Sequence, residues 1–300
     1  MVMAALPIGV PPMNADIAEG KYYLLLDGIK LEPLERWLYE RLDDPVYELI
    51  YLDTPLAECR RISPCLVRLD KGIPVWEAFI ENGVKDGWGW LMASAAPQED
   101  VVAHLRWLLF VEHPLTGEQI LRVASPEVMK CLLEAEPQPA ASALLGELDA
   151  LWLPTHEDGE VAWWYLVNAR QGPVPRDARF VLQQAHLDSL SRIAWQRFAE
   201  ELARHLQTFF VNGPLLSQYG TAITAAKQVI AATQELSFSG RRAHYYMANV
   251  LGAHGHDALD EQTMPTVAKL LTQPDGRPPM ERLKIAAAEA QRLAHRRKHA

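Results

Sequence analysis

Tyr22-Tyr23-Leu24-Leu25-Leu26, closed by Asp27-Gly28, is a five-residue apolar run that stops at a turn signal. Its length and its ending read as a buried strand followed by a turn. Immediately downstream, Leu34, Trp37, Leu38, Tyr39 and Leu42 recur at helical spacing, with Glu35, Arg36, Glu40 and Arg41 on the outer positions. Pro33 opens this helix and Pro45 lies beyond its end, the positions where proline's fixed φ and missing N–H are tolerated. Val46 to Leu52 then reads as a strand ending at Asp53-Thr54-Pro55. Working outward, the alternation repeats: strand near Cys65 to Leu69, helix near Val75 to Asn82, strand near Trp88 to Ala93, helix from about Gln98 to Val111. A turn at Thr116-Gly117, a strand near Gln119 to Val123, and Ser125-Pro126-Glu127 as N-cap and helix entry before Met129 to Glu134 complete the series.

Past Glu136-Pro137-Gln138-Pro139, Leu151 to Pro154 and Val161 to Val167 flank His156-Glu157-Asp158-Gly159 as the arms of a hairpin. The second arm carries Trp163, Trp164 and Tyr165. Because side chains alternate along a strand, at least one of these large aromatics points away from the core side and is a candidate protein-contact anchor. Packing against the helical domain is the competing use. Gln171-Gly172-Pro173-Val174-Pro175 marks a domain boundary. Beyond it the period changes: Leu187, Leu190, Ala194, Phe198, Leu202, Leu206 and Phe209 share one face of a long helix between Val181 and Phe210. Further helices fit Ala222 to Gln234, Arg241 to Leu251, Met264 to Thr272 and Met280 to His295. The predicted class is α+β: a mixed sheet with flanking helices in a domain over residues 20–170, followed by an α-helical domain over residues 176–300.

Composition bounds the function. The chain has 300 residues, 49% hydrophobic and 22% charged, with a mean hydropathy of −0.10, which excludes disorder and fibrous repeats. No run approaches the roughly 18 apolar residues that span a bilayer, so no membrane partner is expected. Met1 to Pro12 lacks a basic n-region and is interrupted by prolines, so it fails as a secretory signal, and the expected address is cytoplasmic. Three cysteines, Cys59, Cys65 and Cys131, with no C-x-x-C pair, read as reduced core thiols. The net charge of −9 and pI near 5.6 argue against nucleic acid. Charge is unevenly spread: Met1 to Pro154 holds 12 Lys and Arg against 24 Asp and Glu, whereas Thr155 to Ala300 holds 17 against 14. Arg296, Arg297 and Lys298 form a short basic helix end that complements the helix dipole.

The chemistry-bearing candidates are weak. The chain has no P-loop, H-E-x-x-H, G-x-S-x-G or G-x-G-x-x-G signature, and Gly87-Trp88-Gly89-Trp90 lacks the third glycine a pyrophosphate site requires. Asp27 and Asp53, each after an apolar strand, could pair for acid–base work if their strands were neighbours; turn chemistry explains both equally well. His254-Gly255-His256-Asp257, with His244 ten residues earlier, is the most metal-like cluster, and helix C-terminal histidines are its ordinary reading. His104 and His113 flank an apolar helix without a local acidic or nucleophilic partner. No catalytic, metal or cofactor site is expected.

Tyr23-Leu24-Leu25-Leu26-Asp27-Gly28, Leu49-Ile50-Tyr51-Leu52-Asp53-Thr54-Pro55-Leu56, Ser63-Pro64-Cys65-Leu66-Val67, Trp88-Gly89-Trp90, His104-Leu105-Arg106 and Arg122-Val123-Ala124-Ser125-Pro126 stand in a characteristic order. Together they resemble the domain of unknown function found in adaptor chaperones of the bacterial type VI secretion system, over about Tyr22 to Trp152, and the helical remainder is similar to the region that follows it. The departures are Ser63 where the family has Gly, Cys65 where it has a larger residue, and Ser125 where it has Asp. The resemblance implies a non-enzymatic chaperone that holds an effector in the cytoplasm and loads it onto a VgrG-type spike protein. Two alternatives stay open: a hydrolase or toxin enzyme, and an immunity or scaffold protein that binds a toxin without delivering it.

Overall fold

The computed structural model describes residues 21–70, 72–157, 160–170 and 174–298. The expected turn at Asp158-Gly159, most of the boundary at Gln171-Gly172-Pro173, and the lead through Pro12 lie outside the described residues. Contacts within the chain divide it into two units between Ile193 and Ala194, inside one long helix.

The first unit is built on a six-stranded sheet in the order β2-β3-β1-β4-β7-β8, with every ladder antiparallel. Its strands are β1 (Tyr22–Leu26), β2 (Tyr47–Leu49), β3 (Cys65–Arg68), β4 (Gly89–Ala93), β7 (Ala150–Glu157) and β8 (Glu160–Val167). The first strand lies inside the sheet, paired on one side with β3 and on the other with β4. Tyr23 and Leu25 enter one apolar core, Leu24 and Leu26 the other. Helices cover both faces, which is why β1 reads as a continuous apolar run instead of an alternating one. One core is closed by α4 (Gln98–Leu108) and α5 (Pro126–Ala135), through Val101, Leu105, Leu108, Met129, Leu132 and Leu133. The other is closed by α1 (Leu34–Tyr39), α2 (Ile73–Ala78) and α3 (Val84–Asp86), through Leu34, Leu38, Val75, Trp76, Phe79 and Val84.

Two predicted elements are shorter than the sequence pattern suggests. The second strand stops at Leu49 because Ile50 to Thr54 turn: Asp53 has φ of +57° and the Thr54 hydroxyl donates to the Tyr51 carbonyl. Helix α4 stops at Leu108, and Phe110–His113 (β5) pairs instead with Gly117–Ile120 (β6) as a separate hairpin. The hairpin pairing, which begins at Phe110 opposite Ile120, takes over where the helix ends. Ser125 caps α5 as expected, its hydroxyl accepting from the Val128 N–H.

The long helix α6 (Gln184–Phe209) begins in the first unit, and its second half opens the helical unit. There it is followed by α7 (Pro214–Tyr219), α8 (Ala222–Glu235), α9 (Arg241–His254), α10 (Pro265–Thr272) and α11 (Pro279–Lys298). Leu202, Leu206, Val229, Met247, Leu251, Leu271 and Leu283 are fully or almost fully buried in their shared core. The Arg282 guanidinium, itself buried, donates to the carbonyls of Leu270 (3.0 Å) and Gln273 (2.9 Å), occupying acceptors left open at the end of α10.

Candidate functional site

The ionisable groups singled out in the sequence are engaged one by one within the fold. The carboxylate of Asp27 is buried at the end of β1, where it accepts from Arg122 (2.5 Å) and from the Ile29 N–H (2.9 Å). The residue after it must be glycine, because a Cβ on Gly28 would stand 2.3 Å from the Ser63 carbonyl oxygen. Ser63, one of the departures from the family pattern, is buried; its hydroxyl accepts from the Tyr51 N–H and donates to the Pro64 carbonyl. Asp53 is exposed and pairs with Arg106 (3.5 Å), which also holds Glu48 (2.9 Å) and donates to the Ile50 carbonyl. Strand β3 separates the strands that precede these two aspartates, so the condition for an acid–base pair is not met.

The histidines disperse likewise. His104 is buried, stacked on Trp107, with Nε2 at 3.1 Å from the Leu144 carbonyl. Burial pushes its pKa down to about 4. Nδ1 of His113 accepts from the N–H groups of Leu115 and Thr116, closing the β5–β6 turn. In the helical unit, His244 bonds the Gly240 carbonyl, His254 the Ala290 carbonyl and His256 the Tyr219 hydroxyl, three separate directions. Among the described residues, no three His, Cys, Asp or Glu side chains come together as metal ligands would.

The thiols need one correction. Cys65 is buried and Cys131 half-buried, and burial raises both thiol pKa values, that of Cys131 to about 11. Cys59 is exposed instead of lying in the core, because it sits on the 3-10 turn Ala57–Ile62, which buries none of its residues. The tryptophans of Gly87-Trp88-Gly89-Trp90 are held by packing: Trp90 is fully buried with its N–H on the Val123 carbonyl (2.9 Å), and Trp88 meets the edge of Trp37.

What remains is the aromatic strand. Eight residues of β8 pair one to one with β7, from Glu157↔Glu160 to Ala150↔Val167. The strand forms one end of the sheet. Trp163 is half-buried, its ring 6.4 Å from both Trp76 on α2 and Phe79 just after it. Tyr165 leans on Trp152 (4.8 Å), which meets Tyr22 (6.0 Å). Trp164 faces the opposite core. Val161 and Val167, on the Trp163 face, are 45% and 46% exposed. The three aromatics therefore form a partly open apolar border, a surface suited to protein contact. Sequence pattern could find these residues; their position at a sheet edge depends on strand order, which it does not encode. The Arg122 partner of Asp27 lies 95 residues away in the chain and carries no local signal.

Fold and site define an α+β domain joined to a helical bundle, with an aromatic strand along one sheet edge. Residues 22–143, the sheet's first four strands with their covering helices, match the Domain of unknown function (DUF4123). Over 280 residues, 93% of this chain and 90% of the relative, the chain is 29% identical to Accessory protein VasW of Vibrio cholerae serotype O1. No solved structure matches it significantly. The ordered segments that carry the resemblance, from Tyr23 to Pro126, all lie within the matched domain. No described helix is long and apolar enough to cross a membrane.

Proposed function

We propose that this protein is a type VI secretion adaptor chaperone: it binds a cognate effector in the cytoplasm and loads it onto a VgrG-type spike protein, without performing chemistry. The observation that carries the reading is the likeness to an accessory protein along nearly the whole chain, which includes the helical unit as well as the domain. The geometry supports it in two ways. Among the described residues, the acid and base candidates Asp27, Asp53 and His104 are each held in their own structural contact. The partly open apolar surface lies on a rigid strand, where a partner's side chains would meet prepositioned aromatics at little cost in conformational entropy.

Such a chaperone must release what it holds, so contact should be non-covalent and weaker than the final assembly on the spike. Co-expression of the tagged chain with the product of the adjacent large open reading frame, with and without the spike protein, tests the reading. The expected result is a stoichiometric chain–effector complex that gives up the effector to the spike, or forms a ternary assembly with it. An immunity protein would neutralise the effector's toxicity and never pass it on. A hydrolase would turn over a substrate without retaining either protein.

A further inference from the structure

The two ends of the sheet differ in a way that has a functional consequence. At one end, β2 is three residues long and is covered by charge: Arg106 reaches the Leu49 and Ile50 carbonyls and Glu48. Short length and charged cover are the ordinary protections of a sheet edge. At the other end, β8 has eight residues, Glu160-Val161-Ala162-Trp163-Trp164-Tyr165-Leu166-Val167, with no proline, no lysine and no bulge in its register. Its single charge is at the first position. Among the described residues, no backbone hydrogen bond joins β8 to any segment other than β7. Alternate residues of an antiparallel strand direct both N–H and C=O to the same side, so about four residues present both groups outward over roughly 26 Å.

We propose that the outer edge of β8 receives an extended segment of the carried protein as an added strand, and that this segment alternates apolar and small polar residues and is flanked by lysine or arginine. The inference deepens the carrier reading and rests on it. Backbone groups of the edge supply the hydrogen bonds. Val161, Trp163, Tyr165 and Val167 contact one set of the segment's alternating side chains, and Trp164 contacts the other. Charge selects the occupant. The first unit, through Ile193, has 16 Lys and Arg against 29 Asp and Glu, a formal charge of −13. A second copy of the chain would bring the same charge to the edge and be repelled, whereas a basic segment is attracted.

The test uses the full chain and a fluorescein-labelled peptide, Lys-Lys-Val-Thr-Ile-Ser-Val-Thr-Ile-Thr-Lys-Lys. Its companions are a version with Glu in place of the four Lys and a version with Pro at two central positions. The expected result is saturable binding of the Lys-flanked peptide, at least tenfold weaker binding of the Glu-flanked one at low salt, and no binding of the Pro version. Hydrogen exchange should slow within residues 160–167. The double substitution Val161→Lys, Val167→Lys changes two exposed side chains, so the fold should stay intact, with Tm shifted by only a few degrees, while affinity falls at least tenfold. Equal binding of all three peptides, no binding of any, protection outside β8, or an unaffected double variant would overturn the proposal. So would a dimer, seen by analytical ultracentrifugation, that the double variant dissolves, since a second copy would then occupy the edge. Effector co-purification separates this idea from the carrier reading: if wild type and double variant capture the effector equally, the edge proposal fails and the carrier stands. Peptide binding as described by a chain that captures no effector would sink the carrier reading instead.

Discussion

Lowering the pH should destabilise the first unit through a single buried imidazole. His104 is neutral in the fold: it sits against Trp107, with Nε2 donating to the Leu144 carbonyl and Nδ1 without a hydrogen-bond partner. Arg176 and Arg170 add to the cost of placing a second proton there, after desolvation, which is the larger cause. Its pKa is depressed from 6.5 to about 4 in the folded state, so the unfolded chain takes up the proton first as pH falls. At 1.36 kcal/mol per unit, the difference is worth about 3 kcal/mol. This contribution is fully present above about pH 6.5, declines as pH falls from 6.5 to 4, and is absent below. The assay is urea unfolding at several pH values for wild type and His104→Gln, followed by tryptophan fluorescence; eight of the nine tryptophans lie before residue 194 and so report on this unit. His104→Gln is less stable at pH 7, and the gap should close by about 3 kcal/mol on going to pH 4, because other titrating groups cancel in the difference. A gap that stays constant across that range would refute the burial argument.

Other consequences follow from named contacts. Gly146 has φ of +51° and a Cβ there would stand 2.2 Å from the His104 ring, so Gly146→Ala should cost at least about 2 kcal/mol in the same unfolding assay. At the Asp27–Arg122 pair, the aspartate side chain is 6% exposed and the arginine 39%. Arg122→Met, which leaves the buried carboxylate alone, should therefore cost about 3 kcal/mol, and Asp27→Asn only about 2; the reverse order would show that the carboxylate is solvated. Trp163→Ala removes a half-buried ring from Trp76 and Phe79 and should lower stability by about 2 kcal/mol while weakening effector capture in a pull-down from the folded variant. Unchanged capture by the folded Trp163, Trp164 double alanine variant would remove these residues from the interface.

Much of the fold was legible because local chemistry and long-range structure agree. Leu24 and Leu25 face opposite covered sides, so the run they belong to could be read as buried without knowing which strands flank it. Ser125-Pro126 announced a helix entry that the Ser125 hydroxyl does cap. Where local signals ended, so did the reading. From Trp107 to Val111 every residue is apolar, and only the hairpin pairing of Phe110 with Ile120 tells the end of the helix from the start of a strand. Asp27 looked like a turn residue or a catalytic acid, and the arginine that decides the matter comes from the far side of the chain's second core-forming stretch. Trp163, Trp164 and Tyr165 were visible as an unusual strand, but strand order made that strand an edge, and order depends on pairings between distant segments, as in β1 with β4 and β4 with β7.

The central claim is that the chain carries an effector to the spike, and reconstitution from three purified proteins tests it most directly. Tagged chain and effector would be mixed, resolved by size exclusion with light scattering, and then challenged with the spike protein. The account predicts a defined complex of chain and effector whose effector moves to the spike, or a ternary species of the three. A folded chain that binds neither protein at micromolar concentration would contradict it.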